Sequence, residues 1–295
     1  MNSASRLLRQ PPSSFPRIVT VPEYAADEEL LVRYEAMKQT FRVPWMGVVG
    51  MAHAHFRRFY DKLWEGLEPI ARSRSFLEAC GKMRAETEGA VAFSLPVPKL
   101  TQRLLDIGYA AREIDEIRDL LEVFSHGNYP YLLLATFSRY LLAGGALKNA
   151  LETEAAANEP VSSASKLVLM EPHHVDLPTQ TIYADIRATL NLPFVNTDYR
   201  ALARWPSYFS MAWTDLKPLV RKPPHALLSQ RLHESAVVAI RESPSPTTSS
   251  SSALLIAAEA DASVEEVRGM VELFQWLLPE LAVNVAFFRA QLENR

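Results

Sequence analysis

Leu192-Pro193-Phe194-Val195-Asn196-Thr197-Asp198-Tyr199-Arg200-Ala201-Leu202-Ala203-Arg204-Trp205-Pro206 lies 149 residues after Val43-Pro44-Trp45-Met46-Gly47-Val48-Val49-Gly50-Met51-Ala52-His53-Ala54-His55-Phe56-Arg57. Laid one on the other, the stretches match Pro44 to Pro193, Trp45 to Phe194, Ala52 to Ala201 and Phe56 to Trp205. The register continues without a gap on both sides. Tyr34 meets Tyr183, Thr40 meets Thr189, Phe59-Tyr60 meets Tyr208-Phe209, Trp64 meets Trp213 and Pro69 meets Pro218. At an offset of 150, Ile117-Arg118 meets Val267-Arg268, Phe124 meets Phe274, and Phe137 and Arg139 meet Phe287 and Arg289. Aromatics and prolines matched at both ends of one register mark a single unit carried twice.

The unit is helical. Leu30, Tyr34, Met37 and Phe41 step by four, three and four, as do groups around Ile117–Phe124 and Val267–Phe274, and each set shares one helical face. No stretch alternates with period two. The text predicts an all-α fold of two tandem helical repeats packed as a pseudo-twofold pair. The expected division is an N-terminal arm over 1–28, repeat one over 29–151, a small-residue linker over 152–178 and repeat two over 179–295. Ser243–Ser252, which reads SPSPTTSSSS, is expected to be a mobile loop with too little apolar content to be held by packing.

The totals exclude several functions. A net charge of −3, with no run of Lys or Arg among aromatics, argues against a nucleic-acid surface. The first 21 residues carry three prolines and no apolar core, and no apolar run is long enough to span a bilayer, so neither a leader nor a membrane anchor is expected. The single cysteine, Cys80, allows no intrachain disulfide or CxxC pair and reads as a packed thiol in a cytoplasmic protein. No metal site is expected. His53 and His55 would diverge by about 200° on a helix, and His173-His174 reads as loop.

Positions shared by the copies are explained by packing; polar groups found in only one are candidates for chemistry. Asp198 stands where repeat one has Val49, and Asn196 where it has Gly47. Asn128 aligns with Leu278 and Tyr131 with Leu281. Each has a plain structural reading. Asn196 or Thr197 suits an N-cap, and Asp198 complements the start of a helix. Gly127 suits a helix end and Pro130 a helix start, which would put Asn128 in a loop and His126 on a solvated helix terminus. Together they read differently. An Asp in place of a buried Val needs partners, and a carboxylate among Asn and Tyr groups can hold and deprotonate a water. The neighbouring helix start offers backbone N–H groups to an anionic substrate.

The block Leu192–Pro206 closely resembles the corresponding motif of the group I 2-haloacid dehalogenases. Arg42-Val43-Pro44-Trp45 and Phe124-Ser125-His126-Gly127-Asn128-Tyr129-Pro130-Tyr131-Leu132-Leu133-Leu134 are similar to that family's other two blocks. The resemblance runs from about residue 30 to the C-terminus. It implies a cofactor-independent, homodimeric enzyme that removes halide from short 2-haloalkanoic acids by direct attack of an activated water, inverting C2. It further implies that Asp198 is the base and Asn128 its catalytic helper. Asn196, Thr197, Tyr131, Trp45 and Val48 would contact substrate. Asn, rather than a small residue, two positions before the aspartate resembles the D-acting members. Two features depart from the family pattern. Tyr129 separates Asn128 from Pro130, and Ser73–Glu78 does not match the family's threonine and glutamate positions, leaving Ser73 and Glu78 as contributors at most. The alternative reading is a non-catalytic helical ligand-binding or interaction module that retained the duplication. The haloacid dehalogenase superfamily that attacks through a nucleophilic Asp after an N-terminal strand is disfavoured, because neither its motif nor its strand is present.

Overall fold

A computed structural model of the chain describes residues 7–149, 167–245 and 250–293. Among them are twelve α-helices: α1 (Glu28–Phe41), α2 (Val48–His53), α3 (Arg57–Ala71), α4 (Arg74–Ser94), α5 (Thr101–Asp106), α6 (Ala111–Leu142), α7 (Leu177–Leu190), α8 (Thr197–Leu202), α9 (Pro206–Leu216), α10 (Pro223–Glu242), α11 (Ser251–Glu259) and α12 (Val264–Leu292). The only extended pairing among the described residues is two residues long, β1 (Lys148–Asn149) running parallel to β2 (Pro244–Ser245). The fold is all-α, as the periodicity predicts.

Local details recur at the 149-residue offset. α1 and α7 are both 14 residues long. Asp27 caps α1 by accepting from Leu30 N at 2.8 Å, and Asp176 caps α7 by accepting from Thr179 N at 3.0 Å. Both helices stop at a left-handed residue, Arg42 (φ 55°) and Asn191 (φ 56°), which turns the chain toward the Pro44 and Pro193 segments. Tyr34 donates to Val21 O and Tyr183 to Met170 O, each at 2.7 Å. Two sequences thus reach one local solution by the same contacts.

Contacts divide the chain into two compact units. Unit 1 comprises Met1–Arg84, Gly127–Ser162 and Gln230–Pro279; unit 2 comprises Ala85–His126, Ser163–Ser229 and Glu280–Arg295. Each unit takes helices from both sequence copies. In unit 1 the predicted face of α1 is inside, with Leu30, Tyr34, Met37 and Phe41 all buried. The N-terminal arm docks on three buried polar side chains of this unit. His233 Nε2 donates to Leu7 O at 2.7 Å, Arg139 donates to Leu8 O at 2.9 Å, and Gln275 bridges His233 and Arg139. In unit 2, Tyr183, Ile186 and Leu190 bury the matching face of α7.

Three expectations are corrected. Gly127 and Pro130 do not break the chain, because α6 runs unbroken from Ala111 to Leu142 with Pro130 inside it. Asn128 is therefore a helical residue and His126 lies mid-helix, not at a terminus. Burial overrides the local punctuation, since Asn128 through Leu142 is buried at every position. The serine-rich loop is shorter than expected, because Ser250 caps α11 by accepting from Ala253 N and Ser251–Ser252 are helical. Residues 246–249 of that loop, and 152–166 of the expected linker, lie outside the described residues. Finally, α12 is long and apolar enough to cross a membrane by length and composition, but 89% of its apolar window is buried inside the fold, as in a core helix.

His53, at the end of α2, is fully buried. Its Nδ1 donates to Val49 O at 2.7 Å and its Nε2 lies 3.1 Å from Ser138 Oγ. Desolvation pulls its pKa down to about 4, against about 6.5 for an exposed imidazole. Between these values the unfolded chain binds more protons, so this contribution is complete above about pH 6.5 and drains away as pH falls toward 4. The stability lost between pH 7 and pH 4.5, measured by urea unfolding, should shrink by about 2 to 3 kcal/mol in His53→Gln.

Candidate active site

The candidate residues fall into two groups, each built by one unit. In unit 1, the turn after α1 carries Trp45 and leads through Gly47 into α2, whose first residue is Val48. Tyr131 of α6 holds this turn. Its hydroxyl accepts from Gly47 N at 2.6 Å and donates to Trp45 O at 3.0 Å. Its ring lies edge-on to Phe41 at 5.4 Å and tilted against Trp45 at 6.1 Å. Burial pushes the Tyr131 pKa up, so the phenol stays protonated and its one donor is committed to Trp45 O. The expected substrate contact is thus first of all a clamp on the backbone that presents Trp45.

Two glycines exist to admit these rings. A Cβ on Gly47 would sit 2.6 Å from the Tyr131 ring, and one on Gly127 would sit 2.4 Å from the Trp45 indole. The indole therefore packs against the α6 backbone one residue before Asn128, which is itself 4% exposed. Gly47 is, in the sequence, only the counterpart of Asn196, yet its missing side chain is what lets Tyr131 reach the start of α2.

In unit 2, Asn196, Thr197 and Asp198 are consecutive at the start of α8, and all three are buried. Asn196 occupies the N-cap position, but its side chain makes no capping bond. Its Oδ1 is fully buried and has no hydrogen-bond partner among the described residues. A buried acceptor left unpaired costs about 1–3 kcal/mol. Asp198, 3% exposed, occupies the second position of the helix. The plain reading of Asn196 as a working N-cap is thereby set aside.

The remaining candidates lie elsewhere. Ser73 is a buried cap on α4, donating to Ile70 O and accepting from Phe76 N. Glu78 is exposed and paired with Arg74 at 2.8 Å. Cys80 is buried, and desolvation pushes its thiol pKa up. Among the described residues no cluster of three or more His, Cys, Asp and Glu side chains is arranged to hold a metal ion.

The chain is 57% identical over 240 residues to an "(R)-2-haloacid dehalogenase" of Rhizobium sp. (strain NHG3), a match covering 81% of this chain and 93% of that protein. The chain belongs to the (R)-2-haloacid dehalogenase family. Solved structures agree with this membership. "The complex structure of D-2-haloacid dehalogenase mutant with D-2-CPA" superimposes with a TM-score of 0.87 at 34% identity, covering 97% of this chain and 99% of that one. "The complex structure of D-2-haloacid dehalogenase with L-LA" does so with a TM-score of 0.86 at 34% identity, covering 96% and 99%. No family model matches the chain.

In this dehalogenase-family chain the Tyr131 clamp can be tested apart from any chemistry. Tyr131→Phe strands the Gly47 N–H and should cost about 1–3 kcal/mol of unfolding free energy. Gly47→Ala forces a methyl against the ring and should cost about as much. Chemical denaturation of each variant checks both values, and an unchanged midpoint in either would contradict the clamp.

Proposed function

We propose that the protein is a hydrolase of carbon–halide bonds that converts short D-2-haloalkanoic acids to L-2-hydroxy acids by direct attack of water. The observation that carries this reading is a pair of groups at the start of α8: a buried carboxylate, Asp198, and a buried amide oxygen, Asn196 Oδ1, the latter unpartnered among the described residues. A 2-halopropionate anion has no hydrogen-bond donor. A water has two. One proton directed to Asp198 and the other to Asn196 Oδ1 would leave the water's lone pairs free for C2.

In this mechanism the C–O bond forms as the carbon–halogen bond breaks, and the halide departs with the bonding pair. Asp198 takes the water's proton. Attack opposite the leaving group inverts C2, in keeping with the opposite configurations of D-2-CPA and L-LA in the two related complexes. Asn128 helps hold water or substrate carboxylate, while Trp45, Val48 and Thr197 shape the apolar surround and Tyr131 keeps Trp45 in place. Asn196 also narrows the space at C2, which favours one enantiomer. The pseudo-twofold pairing of two tandem repeats belongs to the same proposal, supported by the matching caps and tethers of α1 and α7.

Halide release from each enantiomer of 2-chloropropionate tests the reading. The wild type should act on the D form, and Asp198→Ala should lose about 10²–10⁴-fold in kcat. Silence from the wild type would end the enzyme reading, and an active Asp198→Ala would end the assignment of the base. Single turnover in ¹⁸O-labelled water should place solvent oxygen in the product. Unlabelled product would instead require a covalent ester on a protein carboxylate.

A further inference from the structure

Beginning at the residue next to Asp198, unit 2 holds a chain of buried polar groups that the mechanism above does not use. Tyr199, the next residue of α8, is 0% exposed. Its hydroxyl accepts from Asn284 Nδ2 of α12 at 2.9 Å. Asn284, also fully buried, accepts at Oδ1 from His225 Nε2 of α10 at 2.7 Å. The far ring nitrogen of His225, Nδ1, is buried 4.0 Å from a carboxylate oxygen of Glu280. Edge-on contacts from Trp213 of α9 and Phe288 of α12 fix the Tyr199 ring.

The 149- and 150-residue registers show how one-sided this arrangement is. Tyr199 aligns with Gly50, which has no side chain and whose place is taken by the flexible end of Met46. Asn284 aligns with Leu134, Glu280 with Pro130 and His225 with Phe76. Repeat one thus has an apolar or empty position at every point of the chain, and it also lacks the acid, having Val49. The backbone tether of the short helix is common to both copies: Val21 N donates to Met51 O, and Met170 N to Arg200 O, each at 3.1 Å. What repeat two adds is a side-chain tether.

A helix of six residues has little stability of its own and is held by tertiary contacts. Its rotation about its own axis sets where Asp198 points. A misplacement of about 1 Å at a reacting group is enough to cost two orders of magnitude in rate. We propose that Tyr199, Asn284 and His225 are positioning residues: a buried hydrogen-bond chain that fixes the rotation of α8 and so aims Asp198. His225 orients the Asn284 amide so that its NH₂ faces Tyr199, and Glu280 faces the far side of the imidazole. The proposal rests on Asp198 being the base.

The test is steady-state halide release by the full chain with D-2-chloropropionate. Tyr199→Phe and Asn284→Leu should each lower kcat by at least about tenfold with KM within about twofold. The double variant should be no worse than the more damaged single, because both break the same chain. His225→Leu should lose as much, and His225→Gln, whose amide can still donate to Asn284 Oδ1, should recover most of it. A role confined to stability would lower the melting temperature and leave kcat per folded molecule intact. Full kcat in Tyr199→Phe, or losses that add in the double variant, overturns the proposal. Should Asn284→Leu fail to fold, Tyr199→Phe, which removes one oxygen, decides alone. If the wild type releases no halide, or Asp198→Ala retains full activity, the base reading itself fails and the positioning chain falls with it. An active, Asp198-dependent enzyme indifferent to Tyr199→Phe refutes the positioning chain alone.

Discussion

A carboxylate withdrawn from water must be compensated where it stands, and Asp198 imposes that constraint on everything around it. It cannot be placed on a loop, where water would reach it and its direction would wander. It sits instead in the first turn of a helix too short to stand alone, so neighbouring helices must supply the rigidity. Buried polar groups are stable only when each is satisfied, and networks of them fix unique geometries better than apolar packing does. Unit 2 concentrates such groups around α8: the bonded set of Tyr199, Asn284 and His225, and Asn196, whose oxygen has no donor among the described residues.

The repeated text shows the same scaffold finished in two ways. At the start of α2, Gly47 makes room for a tyrosine that satisfies the backbone and closes the space with a ring. At the start of α8, the same position holds an asparagine whose oxygen has no partner among the described residues. One end is sealed and the other is left polar. A polar atom without a partner lowers stability, and departures from the packing rule of this kind are where the proposed chemistry would draw its groups.

The helical class and the faces of α1 and α7 were legible because the periodicity of apolar residues states burial directly. The burial of Asn196 and Asp198 was legible because they stand where the other copy has Gly47 and Val49. The continuity of α6 was not legible. Gly127, Asn128 and Pro130 are the residues that end helices in exposed chains, and only the burial of everything after them reverses their meaning. Tyr131 was identified as a site residue, but its partners were not, since a hydroxyl that bonds backbone 84 and 86 residues away leaves no local trace. Asn284 had a faint signal: it is the one polar residue in the run Leu281–Phe288.

The composition of the two units has a consequence for biosynthesis. Unit 1 needs Gln230–Pro279, and unit 2 needs Glu280–Arg295, so neither can be finished until almost the whole chain has left the ribosome. Even the N-terminal arm waits for His233 before the Leu7 carbonyl finds its donor. Folding domain by domain during synthesis, the usual protection for long chains, is closed to this one. Its helices must be held in reserve, apolar faces exposed, until the last of them arrives. Yield in a cell should therefore depend less on the stability of the finished fold than on how long those faces can be kept apart.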